Sequence, residues 1–196
     1  MSLQIGIVGL ANVGKSTLFN ALTNAGALAA NYPFATIEPN TGIVGVPDER
    51  LAVLGKMYES DKIVPATVEF VDIAGLIAGA SKGEGLGNKF LANIRECKVI
   101  CHVVRAFKDG NVTHVANSVD PKRDIETVET ELALADIDSL ERALVKMRKD
   151  TKSGNKEAIA KVAMAEKVLD ELKSGKTHVE PVEGLDLLSA KPVFYM

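Results

Sequence analysis

Residues 9–16 read Gly9-Leu10-Ala11-Asn12-Val13-Gly14-Lys15-Ser16, which satisfies G-x-x-x-x-G-K-[ST] at every specified position. This stretch restricts the fold tightly, because the pattern works only where a buried strand runs into a glycine-rich turn and the turn into a helix. Both flanks are present. The apolar run Leu3-Gln4-Ile5-Gly6-Ile7-Val8 comes before it, and a helical stretch from Lys15 to about Thr23 follows. The glycines let the backbone bend so that successive N–H groups point inward at negative charge, and the helix adds its positive end. Asn12, Val13, Gly14, Lys15, Ser16 and Thr17 are therefore the candidate phosphate-binding residues. Lys15 is expected to meet the β- and γ-phosphates of a nucleoside triphosphate, and the Ser16 hydroxyl a Mg²⁺ ion. Ser174-Gly175-Lys176-Thr177 ends like a second such loop. Asp170, however, occupies its first glycine position and the preceding segment is helical, so Gly175 marks a helix terminus.

A carboxylate is expected as the second metal-directed group, at the end of a hydrophobic strand. Thr67-Val68-Glu69-Phe70-Val71 is such a strand, and Asp72-Ile73-Ala74-Gly75 follows it. Asp72 is placed on Mg²⁺ through a water, and Gly75, lacking a side chain, can bring its N–H to the γ-phosphate. Between the two motifs lies the polar loop Asn31 to Asn40. A threonine in such a loop can bind Mg²⁺ only while a γ-phosphate is present, as in an order–disorder switch. Thr36 is the candidate, with Thr41 the alternative at the start of a strand. Leu76 stands where many GTPases carry a glutamine that orients the attacking water, and its side chain offers no hydrogen bond, so slow turnover is expected.

The remaining elements alternate between strand and helix: a strand at Thr41 to Val46, a short helix capped by Asp48, a helix from Leu86 to Cys97 and a strand from Lys98 to Val104. This pattern predicts an α/β fold of the P-loop NTPase type, a mostly parallel sheet flanked by helices. From Pro121 to Lys149 apolar residues recur at helical spacing, Thr151 to Asn155 breaks the run, and a second helical run carries Ile159 to Leu172. An antiparallel helical hairpin inserted into the α/β domain is expected. The divisions are 1–120 for the first part of the NTPase domain, 121–178 for the hairpin and 179–196 for the return through a fifth strand. Because ligands of open α/β sheets sit just beyond strand ends, a chain stopping at Met196 reads as part of something longer.

A net charge of −3 gives no electrostatic argument for nucleic acid or membrane, so neither DNA nor a membrane is an expected partner. No secretion signal or membrane-length apolar run is visible, and Cys97 and Cys101 fit no common zinc spacing, so buried thiols and a cytoplasmic location are expected. Lys146, Arg148, Lys149, Lys152 and Lys156 nevertheless gather around the hairpin turn, a local patch that suits a phosphate backbone. His114, beyond the fourth strand, is the internal candidate to orient or deprotonate the water that Leu76 cannot hold. His102, inside that strand, is expected to be structural.

The stretches Gly9 to Leu22, Asn31 to Gly42, Phe70 to Asn93 and His114 to Asp120 resemble the YchF/Obg-like ATPase family. The run Asp72-Ile73-Ala74-Gly75-Leu76-Ile77-Ala78-Gly79-Ala80-Ser81 is specific to it, and the resemblance spans essentially the whole chain. It implies a Ras-like domain with a coiled-coil insertion, a slow ATPase switch with ATP or GTP as substrate, and ribosomes or ribosomal RNA as partner. Two departures stand out. Ala11 occupies a position the family usually gives to proline. The family's N-x-x-E loop, which replaces the guanine-reading N-K-x-D, would fall beyond Met196, as would a TGS domain. Neither Asn88-Lys89-Phe90-Leu91 nor Asn155-Lys156-Glu157-Ala158 supplies the aspartate of N-K-x-D. Two other classes share the phosphate loop: a kinase passing phosphate to a small acceptor, and a binding module without turnover. The near absence of basic residues from Gly75 to Gly87, Lys82 excepted, argues against a kinase lid.

Asn12 resembles the asparagine that K⁺-dependent relatives use in the same loop, which implies a K⁺ ion beside the phosphates, where fixed positive charge suits developing negative charge. Hydrolysis should therefore be faster in K⁺ than in Na⁺ at equal ionic strength. Equal rates in the two salts would remove the ion.

Overall fold

The structure, a computed structural model, describes residues 3–25, 41–73, 86–109, 114, 118–151 and 155–196. Its elements run β1 (Leu3–Val8), α1 (Lys15–Ala25), β2 (Thr41–Gly45), α2 (Glu49–Met57), β3 (Thr67–Asp72), α3 (Leu86–Glu96), β4 (Val99–His102), α4 (Pro121–Asp150), α5 (Lys156–Lys173) and β5 (Val193–Tyr195). The strand and helix segments expected among these residues are all present, with ends displaced by a few residues.

The strands form one sheet in the order β2-β3-β1-β4-β5. β1 pairs in parallel with both β3 and β4, and β4 in parallel with β5; only β2, at the edge, runs antiparallel to its neighbour β3. A strand flanked on both sides and covered on both faces must be apolar throughout, and the last four residues of β1 are buried. The register sets Ile7 opposite Asp72 on one side and Cys101 on the other. The ends of three strands therefore open onto one edge of the sheet, the edge where the phosphate loop begins.

The helix starts are chemically marked. Asp48 accepts from the Arg50 N–H to cap α2, Asp120 accepts from the Arg123 N–H ahead of Pro121 to cap α4, and Asn155 accepts from Glu157 and Ala158 to cap α5. Gly175, just past α5, takes φ +96°, as the stop assigned to it requires.

Two hydrophobic bodies result. The first gathers β1, β4, α3 and Leu188, together with Val128, Leu132 and Ala135 of α4. In the second, Leu140 and Leu144 of α4 pack on Val162, Ala165 and Leu169 of α5, with Val182 and Leu187. The division read at residue 121 is thus one of secondary structure; packing passes from one body to the other inside α4, near residue 136. Cys97 and Cys101 are buried and unbridged, and burial pushes both thiols up to about 11, which keeps them protonated and unreactive at neutral pH. No helix of the described residues is long and apolar enough to cross a membrane.

His102, 2% exposed, lies against the Tyr195 ring with centroids 5.5 Å apart. Burial pulls its imidazole down to about 4, against the opposing pull of Glu129 and Asp124. Because the folded value lies below the unfolded 6.5, the unfolded chain binds the extra proton, so this stability is present above pH 6.5 and is lost as pH falls through about 4. Its size is of order 3 kcal/mol. The urea midpoint of the native chain should fall more steeply between pH 6.5 and pH 4 than that of His102→Phe. Parallel curves would contradict the assignment.

Candidate functional site

The phosphate loop owes its shape to two backbone constraints. A Cβ on Gly9 would lie 2.4 Å from the Val103 carbonyl, so only glycine lets the chain leave β1 this close to the end of β4. Gly14 holds φ +107° with open space around it, so there conformation and not room demands glycine. Asn12 between them is also left-handed, at φ +62°, a region that asparagine tolerates, and it is exposed. Val13 turns inward and packs in the sheet core, while Thr17, like Ser16, is exposed in the first turn of α1. That turn contains no acidic residue, so the positive end of the helix is not offset by its own side chains.

Lys15 is the first residue of α1 and only 7% exposed, with Nζ donating to the Leu10 carbonyl at 2.8 Å. Burial lowers its pKa, and Asp72 raises it in partial compensation. A desolvated ammonium held against one neutral carbonyl is poised to exchange it for an anionic acceptor, which adds ion–ion attraction where water screens it little. Beside it the Ser16 hydroxyl donates to Asp72 Oδ2 at 2.7 Å, joining the start of α1 to the end of β3. Asp72, 56 residues along the chain, is thus brought beside the neighbouring pair Lys15 and Ser16.

Thr36, Gly75 and Leu76 lie outside the described residues, as does Lys152 at the hairpin turn. Thr41 begins β2, paired with Val71. His114 is 5% exposed, and its Nε2 lies 2.8 Å from Asp124 Oδ2, so one ring nitrogen is committed to a carboxylate on α4.

One site-shaping residue was missed in the sequence. Arg105, just past β4, is fully buried; its Nε donates to the Phe107 carbonyl and its guanidinium to that of Asp109, with the Phe107 ring 5.0 Å away. It pins the loop that follows the Val103 carbonyl, the wall against which Gly9 turns. A lone arginine directly after a buried strand was the available signal.

A phosphate loop and an aspartate bonded to its serine, at the ends of neighbouring parallel strands with β2 antiparallel at the edge of the sheet, make a P-loop GTPase fold. Residues 4–160 match the family described as "50S ribosome-binding GTPase". The whole chain is 54% identical to "Ribosome-binding ATPase YchF" of Haemophilus ducreyi and 50% identical to the Bacillus subtilis protein of that name. It superposes on the structure of the Schizosaccharomyces pombe YchF GTPase with a TM-score of 0.77 at 41% identity, covering 99% of this chain and 56% of that one. The chain belongs to the 50S ribosome-binding GTPase family and, within it, to the YchF group. It spans 56% of the length of the two curated relatives.

Replacing Lys15 by alanine removes a charge-assisted contact of roughly 1.5–3 kcal/mol, so nucleoside triphosphate affinity should fall at least about tenfold in a calorimetric titration. Affinity within about threefold of the native chain would refute the assigned role.

Proposed function

We propose that this chain carries the nucleotide-hydrolysing part of a slow, Mg²⁺-dependent ATPase switch that works on ribosomes. The observation that carries the reading is the meeting of the Ser16 hydroxyl and the Asp72 carboxylate, 2.7 Å apart, beside a desolvated Lys15. Two hard oxygen donors at a phosphate-loop helix suit Mg²⁺, which is held by few protein oxygens together with nucleotide phosphates and water. Ser16 would hold the ion directly and Asp72 through a water; bound there, Mg²⁺ supplies positive charge to the phosphates as negative charge develops. Lys15 and the N–H groups of Asn12 to Thr17 bind and orient the triphosphate. Thr36 and Gly75 sense the γ-phosphate.

With Leu76 in the glutamine position, the internal candidate for the attacking water is His114, whose tautomer Asp124 would hold. The curated relatives called ATPases support ATP as the nucleotide, and the Schizosaccharomyces pombe relative called a GTPase keeps GTP as the alternative.

The ribosome is the proposed partner, through the hairpin tip. Lys146, Lys149 and Lys156 are exposed there, whereas Arg148 is tied to Glu166 at 2.6 Å and contributes less free charge. Contacts to a phosphate backbone release counterions, so affinity should weaken steeply between roughly 50 and 200 mM salt. Changing Lys149, Lys152 and Lys156 together to glutamate should abolish co-sedimentation with ribosomes and leave nucleotide affinity unchanged. Undiminished co-sedimentation at low salt would place the contact elsewhere.

A further inference from the structure

Asp136 stands where α4 leaves the sheet and joins α5, and its carboxylate is 0% exposed. The segment ahead of β5 meets it with three donors. The Leu188 N–H lies 3.0 Å from Oδ1, and the N–H and hydroxyl of Ser189 lie 2.8 and 2.6 Å from Oδ2. A guanidinium nitrogen of Arg95, in the last turn of α3, sits 3.6 Å from Oδ1. Arg95 also donates to the Ser139 hydroxyl on α4 at 3.0 Å and to the Asp186 carbonyl. Lys191 closes the ring: Nζ donates to the carbonyls of Arg95 and Cys97 at 3.0 and 2.7 Å, and to Asp186 Oδ1 at 2.9 Å. The end of α3, the middle of α4 and the approach to β5 are thus held by directional polar bonds at the point where α4 changes partners.

A described path leads from this cluster to the phosphate site. Ile73 directly follows Asp72, and its Cδ1 lies 2.9 Å from where a Cβ on Gly6 would stand; Cys97 Sγ lies 3.0 Å from the same point. The end of β3 and the residue after α3 therefore share one notch over β1 through the Ile73 and Cys97 side chains, and the backbone carbonyl of Cys97 is an acceptor of Lys191. Close-packed interiors transmit displacement because they cannot absorb it, and packed interfaces tend to have discrete arrangements. Placing Mg²⁺ and a triphosphate at Ser16 would open its bond to Asp72, and a shift there presses through Ile73 on Cys97.

We propose that the Arg95–Asp136–Lys191 cluster is the positioning joint through which occupancy of the phosphate site sets the placement of helices α4 and α5. This rests on the nucleotide-binding reading above and assigns its output. Arg95 and Lys191 touch neither phosphate loop nor metal ligands, so they act through α4 and not on the nucleotide.

The test is hydrogen exchange of α4 and α5 amides, residues 137–172, in the nucleotide-free chain and in the chain saturated with Mg²⁺ and a non-hydrolysable ATP analogue. The native chain should show different exchange in the two states. Arg95→Met, with Lys191→Met as the second variant should the first fail to fold, should bind the analogue as the native chain does and lose that difference. Three results overturn the proposal. If the native hairpin exchanges identically in both states although the analogue binds, coupling is absent. If a variant alters exchange equally in both states and keeps the native difference, the cluster is merely structural. If the native chain does not bind the analogue, the nucleotide reading fails first and the joint falls with it.

Discussion

β1 is hydrogen-bonded in parallel to β3 on one side and to β4 on the other, and the nucleotide edge takes its geometry from that double pairing. Side chains alternate along a strand, so a slip of one residue between β1 and β3 would turn Asp72 to the opposite face, away from Ser16. The observed register, Ile7 opposite Asp72, is held by burial: Ile5, Ile7 and Val8 have no polar face to offer water, and Ile73 beyond the strand is buried in the same core. The same pairing brings the Val103 carbonyl against Gly9, which makes that glycine obligatory. Core packing and site geometry are therefore one constraint.

Much of this was legible in the chain because the signals are local. The phosphate loop is a contiguous motif with a demanding context. Asp48 caps α2 by a bond to an N–H group two residues away, and Gly175 stops α5 through its own backbone. What the sequence concealed is long-range. Asp136 looks like one more polar residue on a charged helix, yet its partners are Leu188 and Ser189, far along the chain. Arg105 bonds carbonyls only a few residues ahead, but its burial depends on the fold around it. The antiparallel run of β2 was equally hidden, since periodicity marks a strand and not its direction.

α4 is the element in which these scales meet. Its first half is a flanking helix of the sheet and its second half one arm of a hairpin, so a single 30-residue helix belongs to both hydrophobic bodies. Burying a carboxylate at the crossover is costly unless its oxygens are satisfied. Here backbone N–H groups, a hydroxyl and a guanidinium meet it, which ties the crossover to the strand that follows. A long helix anchored at its middle carries the position of its base out to the exposed lysines near its far end.

Anion capture by the loop after β1 is the step on which the site's other roles depend. Its most direct test follows backbone amide resonances while the chain is titrated with Mg²⁺ and a non-hydrolysable ATP analogue. The largest shifts are expected at the amides of Val13, Gly14, Lys15 and Ser16, with Asp72 responding only when Mg²⁺ is present. Shifts centred on Gly175 to Thr177, or none at the phosphate loop at saturating nucleotide, would contradict it.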